Sequence, residues 1–214
     1  MMSKILVQSL FILLRQFLIK LIWIKFEIKL LLIHFHLKYN MPSKPIVTVP
    51  DPILRKISEP VEKLTNEELK LIKDLEDTMY EANGIGLASI QVGIPKRIVV
   101  IDVSKDAKIK KPNYFINPVI KSFSNETSVY EEGCLSIPET FIEIERPKKV
   151  LVEYIDIDGL KKEMKCEGLL STCIQHEIEH CDGKLIIDFL SKLKKDFLIK
   201  KLSKNKSSNS KVIV

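Results

Sequence analysis

The chain has 214 residues, of which 45% are hydrophobic, so it is long enough for one domain with a substantial core, or at most two domains. Its formal charge of +6 lies at the two ends: residues 1–40 sum to +5 and residues 191–214 to +7, which leaves −6 for the body between them. An acidic body argues against a nucleic-acid-binding core, because such a core needs a basic face on the domain itself. We therefore expect no DNA partner.

The four cysteines are too few and too unevenly spaced for a disulfide scaffold in a chain of this length. None of them belongs to a C-x-x-C pair, which leaves a thioredoxin-like or zinc-ribbon interpretation without support. The expected state is that of reduced thiols in a cytosolic protein. The cysteines are Cys134, Cys166, Cys173 and Cys181.

Residues 1–40 differ from the rest of the chain, because lysines and one arginine repeatedly interrupt an apolar stretch. The longest uncharged run, Ile5–Leu14, is shorter than the about 20 residues that a membrane-spanning helix needs. Three interpretations stay open: a membrane-surface helix, an organellar presequence, and translated upstream sequence ahead of a true start at Met41. Outside this segment we expect no membrane association.

From Pro42 onward the pattern predicts an α+β domain. A capping box at Thr65–Glu68 opens a helix with Leu69, Ile72, Leu75 and Met79 on one face, and Asn83-Gly84 closes it. Runs of β-branched or alternating residues predict five strands. These are 97–103, 115–121, 127–131, 150–157 and 161–167, the last two joined by a hairpin turn at Asp158-Gly159. Two further helices are predicted over 168–180 and from 191 to about 203.

The sequence thus predicts small mixed β-sheets packed around a central helix, with a C-terminal helix after them. Its organisation would be an atypical extension over 1–40, a catalytic domain over 41–190, and a lysine-rich C-terminal helix and tail over 191–214.

The strongest local signal is the H-E-x-x-H pattern of His176, Glu177 and His180 on the helix over 168–180. Two histidines one turn apart project from one face, so both imidazoles can reach a single metal ion. Glu177 lies beside that face, where it can take a proton from metal-activated water. The alternative is a pair of histidines on a solvated or packed face.

A catalytic metal site also needs a third protein ligand. After His180 the chain has no further histidine, and the nearest acids are Asp182 and Asp188. A better candidate is Cys134, which follows a glycine at the end of a predicted strand and offers a soft thiolate. Taken alone, Cys134 would more often be a buried small apolar residue than a ligand.

A third segment, GIGLASIQ at residues 84–91, has two glycines directly after a helix. Such a backbone can approach a substrate closely. It is not a nucleotide loop, because it lacks Lys-Ser/Thr and does not follow a strand. Gln91 is an uncharged amide that can donate a hydrogen bond to an oxyanion. A simple helix–loop connection is the alternative.

Together the three segments resemble the peptide deformylase family, which carries G-x-G-L-A-x-x-Q, E-G-C-L-S and Q-H-E-x-D-H in that order. Here they read GIGLASIQ, EGCLS (132–136) and QHEIEH (175–180), and the likeness extends over about residues 45–200. There are two departures. Glu179 stands where the family usually has Asp, and we expect its side chain to lie off the ligand face. Phe141 stands where relatives often carry a polar or basic residue.

The resemblance implies an amidohydrolase that removes the formyl group from N-formylmethionyl nascent polypeptides by metal-hydroxide attack and releases formate. Cys134, His176 and His180 would hold one Fe²⁺ ion, which Zn²⁺, Ni²⁺ or Co²⁺ can replace. Glu177 would move the proton. Gln91 and the backbone N–H of Leu135 would stabilise the oxyanion.

The resemblance also implies a set of residues that bind the substrate. Leu169, Thr172 and Cys173 would line the methionine pocket from the helix, while the loop and the strand would hold the peptide as an added strand. The expected contributors from loop and strand are Ile85, Gly86, Tyr130, Glu132 and Gly133.

Two further expectations concern partners and location. The lysine-rich C-terminal helix would dock on ribosomal RNA, or else it is a solvated charged face. A bacterial cytoplasm is the expected location, with an organelle instead if residues 1–40 are a presequence. The rival functions are a non-catalytic metal-binding module and a zinc endopeptidase.

Overall fold

The computed structural model describes residues 43–104 and 109–209, together with five single positions between residues 20 and 29. Contacts divide the chain into two units, Met1–Pro42 and Ser43–Val214. Apart from the five positions, the expectations for residues 1–40 lie outside the described residues. None of the described helices has the length and apolar character needed to cross a membrane.

The described part of the second unit contains three α-helices, seven β-strands and three short 3-10 helices. The α-helices are α1 (Asn66–Glu81), α2 (Leu169–Cys181) and α3 (Lys192–Asn209). The strands are β1 (Gly86–Ala88), β2 (Ile98–Ile101), β3 (Asn113–Phe123), β4 (Thr127–Cys134), β5 (Ile137–Pro147), β6 (Lys149–Ile155) and β7 (Lys161–Glu167). The 3-10 helices are Pro52–Arg55, Ser89–Val92 and Ile186–Phe189. This content confirms the α+β class.

The strands form a five-stranded sheet in the order β1-β2-β3-β6-β7 and a two-stranded sheet of β4 and β5. Every pair within these two sheets is antiparallel. The sequence predicted small sheets with both parallel and antiparallel pairs, and the parallel pairs are wrong for these two sheets. Short connections between successive strands favour antiparallel pairing, whereas parallel pairing needs a longer crossover.

Strand β2 lies between α1 and α2, which explains its uninterrupted apolar sequence. Ile98 and Val100 join the cluster that contains the apolar face of α1. Val99 and Ile101 point the other way and join the cluster that contains the apolar residues of α2. Since all four side chains are fully buried, β2 fixes the positions of both helices.

The start of α1 confirms the capping box: Thr65 and Glu68 satisfy each other's backbone groups in the predicted way. The predicted apolar face is correct for Ile72, Leu75 and Met79, which are buried, and wrong for Leu69, which is exposed. The helix ends with Asn83 in a left-handed conformation, at φ 54°. That turn leads the chain directly into β1.

A third cluster joins the β4–β5 hairpin to the end of the chain. Ile137, Ile142 and Ile144 of β5 are buried against Leu185–Ile187, and the same cluster includes Leu198 of α3. Strand β5 was missing from the sequence prediction, and β4 runs three residues further than predicted, to Cys134. The hairpin is therefore held in place by its own apolar face.

Candidate metal and active site

Two histidines of α2 project from one side of the helix. His176 and His180 are one turn apart, and their ring centroids are separated by 5.0 Å. Both rings are buried, His180 almost completely. The helix starts at Leu169, after Gly168 in a positive-φ conformation (59°). The i, i+4 spacing thus produces the common face that the sequence predicts.

Cys134 is the last residue of β4, where the register of the β4–β5 pair shifts. Such an irregularity re-aims the side chain that follows it. The Cys134 Sγ atom lies 3.2 Å from His180 Nε2. The candidate ligand atoms of Cys134, His176 and His180 all lie within 4.8 Å of one another. The structure therefore brings together the three residues that the sequence singled out as ligands.

This donor set suits a transition metal. Thiolate and imidazole are the ligands that zinc, iron, nickel and related ions bind in proteins. Ion–ligand distances of about 2.0–2.3 Å place three such donors roughly 3–4 Å apart, which the observed spacing accommodates. Three protein ligands also leave an open coordination position, as catalytic sites require.

His176 is oriented by a carboxylate behind it. With its proton on Nδ1, the ring donates to Glu132 Oε2 at 3.0 Å, which leaves Nε2 directed toward the site. Burial alone raises the pKa of Glu132, but the hydrogen bonds from His176 and Arg146 outweigh it and lower that pKa. Glu132 is therefore an anion beneath the ring, an arrangement that increases the basicity of a metal-binding imidazole.

Arg146 of β5 binds Glu132 and Glu179 at the same time. Its Nε and Nη2 atoms donate to Glu132 (2.5 and 3.1 Å), and its Nη1 and Nη2 atoms donate to Glu179 (2.8 and 2.9 Å). The guanidinium is buried, and the Phe189 ring lies 5.2 Å from its central carbon. Glu179 is thus connected to His176 through Arg146 and Glu132, a network that the sequence analysis did not predict.

Glu177 lies on α2 beneath Gly86, the first residue of β1. A Cβ atom at Gly86 would lie 2.5 Å from Glu177 Oε1 and 2.7 Å from Cys173 Sγ, so a side chain at residue 86 would displace this carboxyl. Glu177 Oε2 is buried and has no hydrogen-bond partner among the described residues. Burial raises the pKa of Glu177 to about 7. At neutral pH this carboxyl can therefore both accept and donate a proton.

Gln91 lies in the 3-10 helix after β1 rather than in an open loop, and it is buried. Its Oε1 atom accepts from the Ala88 backbone N–H at 2.8 Å. Its Nε2 atom lies 3.2 Å from Ser136 Oγ and 3.7 Å from Cys134 Sγ. The amide is therefore held with its donor group toward the end of β4. Leu135 follows directly after Cys134 there.

A cavity of about 490 Å³ opens beside these groups. The residues expected above to bind the metal, to catalyse or to bind substrate all line it except His180, whose Nε2 atom lies 3.2 Å from Cys134 Sγ. The expected substrate-binding residues in this lining are Ile85, just before β1, and Gly86, together with Tyr130, Glu132 and Gly133 of β4 and Leu169, Thr172 and Cys173 of α2. Glu132 faces the cavity with its carboxylate already bound by Arg146 and His176. Phe141 lines the same cavity.

A model of the polypeptide deformylase family matches residues 43–196. The chain belongs to this family. It is 58% identical to the peptide deformylase of Pelagibacter ubique, over 78% of this chain and 98% of that protein. It is 51% identical to the peptide deformylase of Rhizobium meliloti, over 77% of this chain and 94% of that protein.

Solved structures of the deformylase family share the fold. A peptide deformylase of Ehrlichia chaffeensis in complex with actinonin has a TM-score of 0.73 at 41% identity, over 77% of this chain and 98% of that one. A Met-Ala-Ser bound class I type b deformylase of Acinetobacter baumannii has a TM-score of 0.66 at 30% identity, over 70% and 99%. These likenesses confirm the α+β architecture with a C-terminal helix.

The Arg146 network leads to a prediction for metal affinity. In Arg146→Lys the charge stays, but an ammonium cannot make paired hydrogen bonds to both Glu132 and Glu179. Because groups that orient a ligand typically contribute 10- to 100-fold to metal affinity, we expect the dissociation constant for Ni²⁺ to rise roughly 10- to 100-fold. Competition with a coloured chelator measures it.

Glu179→Asp is the control, since it keeps the carboxylate that Arg146 binds, and its Ni²⁺ affinity should change much less. Circular dichroism checks that both variants are folded. An unchanged affinity in a folded Arg146→Lys protein would show that the network only stabilises the fold.

Proposed function

We propose that Cys134, His176 and His180 hold one divalent transition-metal ion, and that Glu177 transfers the proton. The protein uses this ion to hydrolyse formylated peptides. The spacing of the three ligand atoms, all within 4.8 Å, carries this assignment. When bound, such an ion supplies Lewis acidity and makes hydroxide available near neutral pH. The overall reaction is hydrolysis of the formyl amide of an N-formylmethionyl polypeptide, which yields formate and a free amino terminus.

Glu177 is the general base and then the general acid. Burial raises the pKa of this carboxyl to about 7, toward the range that suits a group that must both take up and release a proton. It takes a proton from the attacking water and returns one to the leaving amine as the C–N bond breaks. Gly86 leaves the space for this carboxyl next to the bound peptide.

Gln91 and the backbone N–H of Leu135 stabilise the oxyanion that forms on the formyl carbon. Gln91 is suited to this because its Oε1 atom is fixed by Ala88, so its amide donors stay aimed at the end of β4 without reorganisation. Donors that are already in position contribute strongly, and loss of one typically costs about 2.7–4 kcal/mol in the transition state.

The substrate binds as an extended strand between β1 and β4. Backbone groups of Ile85, Gly86 and Gly133 line this gap, and strand addition gives affinity through main-chain hydrogen bonds. The methionine side chain enters the cavity toward Leu169, Thr172 and Cys173 of α2. A related deformylase binds Met-Ala-Ser, which supports a peptide of this kind. Tyr130 borders the same gap.

The rival functions have less support. A structural zinc site normally has four protein ligands, and the group found among the described residues has three. A zinc endopeptidase would not need the thiol. We also propose that residues 41–190 are the catalytic domain, preceded by an extension over 1–40, and that the protein acts in a bacterial cytoplasm, or in an organelle if that extension is a presequence.

Glu177→Gln tests the proton-transfer role. The amide fills the same space but cannot carry the proton, so kcat for formate release from formyl-Met-Ala-Ser should fall roughly 10²- to 10⁴-fold. The Ni²⁺ content of the protein, measured by atomic absorption, should stay at one ion per chain. Glu163→Gln, an exposed position on β7, serves as the control and should behave as the parent. Full activity in Glu177→Gln would exclude the assignment.

We propose Fe²⁺ as the physiological ion, with Ni²⁺, Co²⁺ and Zn²⁺ able to replace it. A thiolate beside Fe²⁺ is exposed to oxidation. The iron-loaded protein should therefore lose activity in air within a small fraction of the time it survives under argon, while the Ni²⁺-loaded protein should be far less sensitive. Equal half-lives of the iron-loaded protein with and without oxygen would count against iron.

We also propose that α3 docks on ribosomal RNA, where formylated chains emerge. Leu198 and Leu202 pack toward the core, whereas Leu193 and Phe197 are 82% and 72% exposed among the lysines of the helix. An exposed basic face of this kind binds phosphates in a salt-dependent way.

Co-sedimentation with ribosomes tests this docking. Binding should weaken steeply as salt increases. The double change Lys194→Gln and Lys201→Gln removes two exposed lysines, so fewer counterions are released from the RNA on binding and the affinity should fall further. Lys161→Gln with Lys165→Gln on β7 is the control. Undetectable binding, or binding that salt does not affect, would dispose of the idea.

A further inference from the structure

The lip of the cavity carries an aromatic ring and two carboxylates that the reaction itself does not use. We propose that this lip, defined as Phe141, Glu131 and Glu139, binds a lysine or arginine side chain at the residue that follows formylmethionine. The inference rests on the proposed function, because it assigns a preferred class of peptide to the same site.

Phe141 covers the backbone of β4 at the mouth of the cavity. It is the register partner of Gly133. A Cβ atom at Gly133 would lie 2.9 Å from the Phe141 ring, so the ring lies directly over this glycine. The ring is nevertheless 67% exposed and lines the cavity. An aromatic face is therefore presented to whatever lies along β4.

Two glutamates line the same cavity as this ring. Glu131 is two residues before Gly133 on the same face of β4 and is thus diagonal to Phe141, a separation of about 7–8 Å between backbones that long side chains can bridge. Glu139 lines the cavity at the start of β5. Both are exposed, and neither forms an ion pair within the described part of the chain. Of the described residues that line the cavity, none is Lys or Arg.

Strand geometry indicates which substrate residue reaches the lip. Side chains of an extended peptide alternate between its two faces. If methionine points toward Leu169 and Cys173 on α2, the next side chain points to the opposite face. Alternate residues of β5 point to opposite faces of the hairpin, and Ile142 and Ile144 point inward. Phe141 and its partner Gly133 therefore lie on the outer face, together with Glu131.

The chemistry of the lip selects a cation on an apolar stem. An aromatic face attracts an ammonium or guanidinium group, and nearby carboxylates add to that attraction. The methylenes of Lys or Arg can lie along the Phe141 ring while the charged end reaches the carboxylates. Because the formyl group removes the positive charge of the substrate's amino terminus, a cation that binds at this lip has to be a side chain of the peptide.

A set of peptides formyl-Met-Xaa-Ser separates charge from stem length. Norleucine has the apolar stem of lysine without the charge, alanine has neither, and glutamate has the opposite charge. For the Ni²⁺-loaded full chain at low salt, we expect kcat/KM for Lys and Arg to exceed that for norleucine by about three- to fivefold. Norleucine should exceed alanine, and glutamate should be the poorest substrate.

Variants then assign the preference to the lip. The double change Glu131→Gln and Glu139→Gln should bring the Lys/norleucine ratio close to one, and Phe141→Ala should lower both the Lys/Ala and norleucine/Ala ratios. The double change Glu143→Gln and Glu145→Gln is the matched control: it likewise removes two charges from exposed positions of the hairpin, and neither residue lines the cavity. Its Lys/norleucine ratio should equal that of the parent.

The outcomes are decisive in either direction. A parent Lys/norleucine ratio of one or less overturns the proposal. An equal loss of preference in the double control at Glu143 and Glu145 also overturns it, because it would indicate a general electrostatic field of the hairpin. Hydrolysis of formyl-Met-Ala-Ser that depends on Glu177 would still support the proposed function in that case. Absence of any formate release would contradict the proposed function instead.

Discussion

Arg146 lies between carboxylates of two different elements, Glu132 on β4 and Glu179 on α2, and donates two hydrogen bonds to each. This buried guanidinium ties the hairpin to the helix. Removing one partner of such a buried ion pair typically lowers the free energy of unfolding by about 3–5 kcal/mol, because the remaining charge is left buried without a partner or solvent. Since Glu132 also accepts a hydrogen bond from His176 Nδ1, the orientation of one candidate ligand depends on how the hairpin is placed. The thiol of Cys134 at the end of that hairpin depends on the same placement.

The rest of the site follows from local features of the backbone. The register shift before Cys134 turns its thiol toward α2, and the absence of a side chain at Gly86 leaves room for Glu177. Strand β2, buried on both faces, fixes α2 relative to α1. Phe189, just before α3, covers Arg146. The site is thus assembled from separate elements, each of which is fixed by its own packing.

Much of this arrangement could be predicted from the sequence, because helical spacing is a short-range property. His176 and His180 had to share a face once their helix was recognised, and the capping box at Thr65 marked the start of α1. The network around Arg146 could not be found in this way, since it joins residues 132, 146 and 179, which only the tertiary fold brings together. A signal was nevertheless present: Ile142, Ile144 and Arg146 alternate with glutamates, so Arg146 occupies an inward position of β5. The position of Glu179 on its helix indicated only that it lies off the ligand face, and gave no sign that Arg146 binds it.

The register shift at Gly133 has a consequence for how this hairpin can change in evolution or in chimeras built from relatives. Adding or deleting one residue within β4 would exchange its two faces. Cys134 Sγ would then point to solvent, and Glu132, which orients His176, would move to the same outer surface. Changes of length should therefore be tolerated only in the connection between β3 and β4 (residues 124–126), at the end of β4 that lies away from Cys134, or in steps of two residues. The hairpin must be transplanted as a whole.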